Sequence, residues 1–295
     1  MSRTVTVGFD GSRESLAAVD WAAGEAVRRA APLRILQVWS KDDDPRTRLV
    51  APATAQGWGE RALGTAGRRL RRRHPGLRTE TQWVCGDPVE ELCAAADEAE
   101  LLVLGSRGLG GLAGFLAGSV SLAVLARTRR PVVLVRPHNR PAAGEDGPAG
   151  EDGPAGEVVV GLDVSAPGDE VLAFGFAAAD RYGCGLRVLH TWAVPSYGAD
   201  MGAALQLMWA QIAQDARRAL DEALAPWTEK YPDVSVVREC RRGRPAQDLA
   251  EASRGARLVV VGRRNRRARI GTHIGAVTHA VIHHSLAPVT VVPHD

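Results

Sequence analysis

The residues best equipped for chemistry lie in one stretch, Gly105 to Ser121, GSRGLGGLAGFLAGSVS. It follows an apolar run, Leu101–Leu104, and leads into a helical pattern through Val120, Ala123 and Val124. A strand that opens into a glycine-rich loop and then a helix gathers backbone N–H groups at one point. Glycines let an anion approach closely, and the dipole of the following helix favours negative charge. Ser119 and Ser121 add hydroxyl donors at the helix start, and Arg107 adds a cation suited to phosphate. A merely flexible surface loop would not explain the apolar segments on both sides.

Two common phosphate loops do not fit. A Walker A motif requires Gly-Lys-Ser/Thr, but the only lysines, Lys41 and Lys230, precede Asp42 and Tyr231. Gly108, Gly110 and Ala113 formally satisfy G-x-G-x-x-A. That fingerprint belongs after the first strand, however, and this loop comes late in its half of the chain.

The elements that must position the loop follow from periodicity. Thr4–Phe9 reads as a buried strand, and Asp10-Gly11-Ser12 as a turn into a helix through Leu16, Val19, Ala22, Ala23 and Ala26. Leu33–Trp39 is a second strand, followed by a polar connection, Lys41–Pro52, long enough to act as a lid. A helix from about Gln56 to Arg73 ends in Arg68, Arg69, Arg71, Arg72 and Arg73, charges that suit a solvated helix C-terminus. Thr79–Val84 is a third strand, and Pro88 suits the first turn of the next helix. Leu101–Leu104 and Pro131–Val135 are the fourth and fifth strands. Such alternation predicts an α/β fold with a parallel sheet covered on both faces. Ligands of open α/β sheets bind beyond the carboxyl ends of the strands. Asp10, Val38 and Gly105 all fall on that edge.

Residues Ala143–Gly156 then read AGEDGP, AGEDGP, AG, a small, acidic, Pro-containing linker with nothing large to bury. Beyond it the pattern restarts. TVTVGFDGS is answered by EVVVGLDVS at Glu157–Ser165, LRILQVW by LRVLHTW at Leu186–Trp192, and GDPVEEL by GRPAQDL at Gly243–Leu249. LLVLGSRG is answered by LVVVGRRN at Leu258–Asn265, and RPVVLVRP by APVTVVPH. A repeat of this length is a tandem duplication of a whole domain. The expected division is residues 1–140, a linker at 141–156, and residues 157–295.

The spacing Gly105-x2-Gly108-x9-Gly118-Ser119 resembles the nucleotide-binding signature of the universal stress protein family. With the duplication, the resemblance covers nearly the whole chain outside the linker. It implies two tandem Rossmann-like domains of the adenine nucleotide alpha hydrolase type, each a five-stranded parallel sheet ordered 3-2-1-4-5 with helices on both faces. Many members of the family bind ATP, with Mg²⁺ as an optional companion, and another class lacks the glycine signature and does not. Carried onto this sequence, Asp10 would contact the adenosine moiety and the Val38 backbone the adenine edge. Gly8 and Gly105 would let the ribose sit against the strand ends. Gly108, Gly118, Ser119, Val120 and Ser121 would hold the phosphates, with Arg107 beside them. The second half keeps Gly161, Asp163, Gly262, Gly275, Val277 and Thr278 in the matching places, while Val38 becomes Thr191, Gly108 becomes Asn265 and Ser119 becomes Ala276. The fifth strands are the usual pairing edge of the family, so self-association is expected there, between halves or between copies.

Nothing in the first half points to an enzyme: no histidine, paired carboxylate or activated nucleophile accompanies the loop. Asp10-Gly11-Ser12 stands where a PP-loop pyrophosphatase needs Ser-Gly-Gly, and no HIGH or KMSKS motif is present. His279-x3-His283 has metal-pair spacing but neither an HExxH glutamate nor an evident third ligand, and it aligns with Leu122 and Ala126, so no metal is assigned. Arg263, Arg264, Arg266, Arg267 and Arg269 fall where the second phosphate loop would be, as a solvated loop or an anion site. A net charge of +3 argues against a dedicated nucleic-acid binder. No apolar run approaches the ~18 residues of a membrane span. The four cysteines form no CxxC, in keeping with reduced thiols, and no secretory signal is evident, so a cytoplasmic location is expected. The expected role is an ATP-binding stress or dormancy signalling module with a protein partner. The alternatives are an ATP-independent scaffold and, ranked lower, a slow ATPase.

Overall fold

A computed structural model describes residues 4–40, 52–106, 118–137, 156–166, 168–192, 202–265 and 274–295. The described residues divide into two compact units, one within residues 4–137 and the other within residues 156–295. The lid segment expected at Lys41–Pro52 lies almost wholly outside the described residues, as does the linker.

In the first unit, β1 (Val5–Gly8), β2 (Leu33–Trp39), β3 (Thr79–Cys85), β4 (Leu101–Gly105) and β5 (Val132–Val135) alternate with α1 (Arg13–Arg28), α2 (Pro52–Arg73), α3 (Pro88–Glu98) and α4 (Ser119–Arg127). The sheet runs β3-β2-β1-β4-β5 with every described pairing parallel. Strands β2, β4 and β5 carry branched apolar residues on both faces, as a sheet covered by helices on both sides demands. At the edge, β3, TETQWVC, does not. Val5, Val7, Leu33, Ile35, Leu101, Val103, Val132 and Val133 are fully buried. Each such side chain contributes roughly 1.5–3 kcal/mol relative to leaving it in water. Helix starts are defined chemically. Ser12 caps α1, its hydroxyl accepting the Ser15 N–H at 3.1 Å, and Asp87 caps α3 with Pro88 in the first turn.

The second unit repeats the plan. Its strands are β6 (Val158–Gly161), β7 (Leu186–Trp192), β8 (Val236–Arg242), β9 (Leu258–Arg264) and β10 (Val289–His294). Between them lie α5 (Asp169–Tyr182), α6 (Gly202–Lys230), α7 (Pro245–Ala252) and α8 (Ala276–His284). Its order is β8-β7-β6-β9-β10, again parallel throughout the described pairings. The order 3-2-1-4-5 expected for each half is therefore present twice. Gly183 ends α5 at φ 60°, a left-handed position that glycine occupies without steric cost.

One charged cluster is buried in the first unit. Arg29 donates through Nε to Glu25 at 2.6 Å and through Nη1 to Glu100, joining the end of α1 to the approach to β4. Glu25 is 1% exposed, so these contacts replace its lost hydration.

Candidate functional site

The carboxyl edge of the first sheet is set by where β1 stops. Phe9 N–H still donates to the Leu36 carbonyl at 2.8 Å, after which the chain leaves the sheet through Gly11 at φ 80°. Asp10 sits at this exit, exposed, its Oδ1 accepting the Ser12 N–H at 2.9 Å. Ser12, not Asp10, is the N-cap of α1. A capping role therefore does not account for Asp10. Val38, half-buried, lies two residues beyond the last β1–β2 pair, Gly8 with Leu36.

Packing accounts for two of the glycines. A Cβ on Gly8 would stand 2.7 Å from Leu104 Cδ2 and 3.2 Å from Leu92 Cδ2. One on Gly105 would stand 2.6 Å from the Glu14 carbonyl carbon and 2.8 Å from Ser15 N. The missing side chains thus make way for the core and for the first turn of α1. Gly118 differs. It adopts φ −61° and ψ 153° at the start of α4 and caps no N–H, and no described residue beyond its chain neighbours comes within 4 Å of where a Cβ would go. Leu122 N–H donates to the Gly118 carbonyl at 3.0 Å, so the helix itself leaves the N–H groups of Ser119, Val120 and Ser121 unmet. Ser119 is exposed, whereas Ser121 is buried with its hydroxyl directed to the Gly105 carbonyl at 3.4 Å. That separation is long for an O–H donor. Arg107 and Gly108 lie outside the described residues.

The second unit keeps the frame and changes its contents. Gly161 packs against Leu249 as Gly8 does against Leu92: a Cβ on Gly161 would stand 2.7 Å from Leu249 Cδ1. Gly275 opens α8 with no described residue beyond its chain neighbours within 4 Å of where a Cβ would go. His279 N–H reaches its carbonyl at 2.8 Å, leaving the N–H groups of Ala276, Val277 and Thr278 unmet by the helix. Thr278 donates its hydroxyl to the Gly262 carbonyl at 2.8 Å, a normal bond where the first unit has a long one. Asp163, the counterpart of Asp10, is engaged on both oxygens. Oδ1 accepts from Ser165 N–H at 3.1 Å and Ser165 Oγ at 2.6 Å, and Oδ2 accepts from Arg264 Nη2 at 3.1 Å. A Cβ on Gly262 would meet the buried His294 ring at 2.6 Å, and that ring also covers Gly168 at the head of α5. Thr191, 9% exposed, has a buried hydroxyl that finds no partner among the described residues, and it packs its methyl near Gly243.

The arginines expected in a second phosphate loop are not all loop residues. Arg263 and Arg264 belong to β9; Arg263 is buried, and burial pushes its guanidinium below the usual range. Arg266, Arg267 and Arg269 lie outside the described residues. The solvated-loop reading therefore fails for Arg263, whose desolvation is a consequence of its strand position. Sequence reasoning missed the roles of Arg264 and His294. Arg264 aligns with Arg107, which was the available signal, whereas nothing marked His294.

All four cysteines are free thiols, and burial raises Cys93, Cys184 and Cys240. Among the described residues no helix is long and apolar enough to cross a membrane, and no group of three or more His, Cys, Asp and Glu is placed to hold a metal.

The described residues form a 3-2-1-4-5 parallel sheet twice, each with a helix starting at a glycine after the fourth strand, and comparison with known proteins supplies the family. The chain belongs to the universal stress protein family, whose model matches residues 1–136 and 155–293. It is 34% identical over 298 residues to a universal stress protein of Mycobacterium tuberculosis, covering 97% of this chain and 96% of that protein. It is 32% identical over 300 residues to a universal stress protein of Mycolicibacterium smegmatis, covering 98% and 96%. A universal stress protein from Archaeoglobus fulgidus shares the fold, with a TM-score of 0.63 at 20% identity over 100% of both chains.

Proposed function

We propose that the first unit binds ATP and that the chain works as a nucleotide-responsive stress-signalling module in the cytoplasm, without catalysing a reaction. The observation that carries this reading is the start of α4. Among the described residues nothing beyond its chain neighbours stands within 4 Å of where a Gly118 Cβ would go and no side chain caps the helix, and the helix itself leaves three backbone N–H groups unmet. A polyphosphate supplies oxygen acceptors of the right charge at a positive helix end. Asp10, exposed on the carboxyl edge of the same sheet, suits a ribose hydroxyl or an adenine amino group as acceptor. Mg²⁺ would accompany the phosphates as their counter-ion. Binding would then be read out by a protein partner through a change in the segments around the site.

The second unit supports a different reading. Arg264 and Ser165 already occupy the oxygens of Asp163, and Ala276 lacks the hydroxyl that Ser119 offers. It therefore serves as an interaction half that does not depend on nucleotide. Titrating the full chain with ATP in a calorimeter tests both readings. One equivalent is expected, and its loss in Gly118→Val, with retention in Gly275→Val, places it in the first unit. Absence of any ATP binding would return the whole chain to the scaffold class, and turnover to ADP would make it an ATPase.

A further inference from the structure

Spacing alone assigned no metal to His279-x3-His283, and the side-chain geometry changes that. On α8 the two residues lie one turn apart, and their Nε2 atoms meet at 3.3 Å. The ring centroids are 4.4 Å apart with planes tilted by 57°, so nitrogens make the contact and not stacked faces. An N–H donor in a direct hydrogen bond favours a separation of about 2.9–3.0 Å, shorter than this one. Two imidazole nitrogens bound to one ion at about 2.0–2.1 Å, with a tetrahedral angle between them, stand roughly 3.3–3.4 Å apart. The pair is thus spaced as two ligands of one ion.

Burial divides the labour between the rings. His283 is 7% exposed, so packing fixes its position, while His279 is exposed and gives ions access from solvent. Among the described residues no third carboxylate, thiol or imidazole completes a cluster. We propose that His279 and His283 form a two-histidine site for divalent transition ions that accept tetrahedral geometry, Zn²⁺ foremost, with water filling the remaining positions. Imidazole nitrogens select these ions over Mg²⁺ and Ca²⁺, which take oxygen ligands. The first unit has Leu122 and Ala126 in these places, so the site belongs to the second unit alone. It is independent of the ATP reading.

The test is a calorimetric titration of the untagged full chain with ZnCl₂. Wild type should show one site that stands above the weak background of scattered histidines. His279→Ala should lower its affinity by about tenfold or more, since even second-shell partners of a metal ligand are worth roughly 10- to 100-fold. His279 is exposed, so this variant should melt as wild type does. His284→Ala, removing the adjacent exposed ring, should bind as wild type. Acidification should weaken the site, because an imidazole must shed its proton to ligate. Wild-type affinity in His279→Ala, an equal loss in His284→Ala, or no site above background in wild type would each overturn the proposal.

Discussion

Arg264 Nη2, at the end of β9, donates to Asp163 Oδ2 at 3.1 Å, in the turn that follows β6. The two residues are the counterparts of Arg107 and Asp10, yet here the cation and the carboxylate that would serve a nucleotide serve each other. Both side chains are about half exposed, so the pair itself is worth roughly 0–1 kcal/mol. Arg264→Ala should accordingly leave the melting temperature nearly unchanged. Combined with Ala276→Ser, it should raise the ATP stoichiometry of the full chain from one toward two. A stoichiometry fixed at one would move the block from the ion pair to His294, which covers Gly262.

Asp10→Ala should weaken ATP binding about tenfold or more, since a hydrogen bond to a charged group is worth roughly 1.5–3 kcal/mol. Stability should hardly move. The carboxylate is exposed, and the cap of α1 belongs to Ser12. Unchanged affinity by calorimetry would remove Asp10 from the site.

Gly118 and Gly105 separate ligand room from packing room. Gly118 has an extended backbone that any residue adopts and no described residue beyond its chain neighbours within 4 Å of where a Cβ would go, so Gly118→Val should fold normally while filling the place of a phosphate. Gly105→Ala would drive a methyl into the backbone of Glu14 and Ser15, and it should lower stability whether or not ATP is present. Normal ATP binding by a well-folded Gly118→Val protein would sink the phosphate assignment.

The same two glycines show what was legible beforehand. The strands and the duplication were readable from apolar runs ended by turn residues and repeated in the second half. The order 3-2-1-4-5 came only from the family resemblance, because no periodicity says which parallel strands are neighbours. The glycine spacing after β4 singled out a candidate loop, of which Gly105 and Gly118 lie among the described residues and Gly108 does not. Glycine in a sequence says only that a side chain is excluded, however, not whether a ligand or the protein excludes it. Gly8 and Gly105 needed three dimensions to be assigned to Leu104 and to α1. Arg264 and Asp163 are 101 residues apart in sequence, and no periodicity links them. His294 ends the last strand like an ordinary strand residue, and only its packing reveals that it fills the space beside Gly262.

Ser119 and Ser121 are separated by one residue, and the helix gives them different work. Ser119 is exposed on the first turn of α4. Ser119→Ala should therefore cost ATP affinity about tenfold, the worth of one hydrogen bond to a charged phosphate, and leave stability alone. Ser121 is buried, and its hydroxyl faces the Gly105 carbonyl at 3.4 Å, too long to hold it firmly. Thr278, in the same place in the second unit, makes that bond at 2.8 Å. Removing the hydroxyl there, in Thr278→Val, leaves the Gly262 carbonyl without that partner and should cost about 1 kcal/mol of stability. Ser121→Ala should cost less than that in the absence of nucleotide. Thermal melts of the three variants, with and without ATP, separate these roles. If Ser121→Ala destabilises the ATP-free protein as much as Thr278→Val does, the long contact is a true bond and the Ser121 hydroxyl is not available to a phosphate.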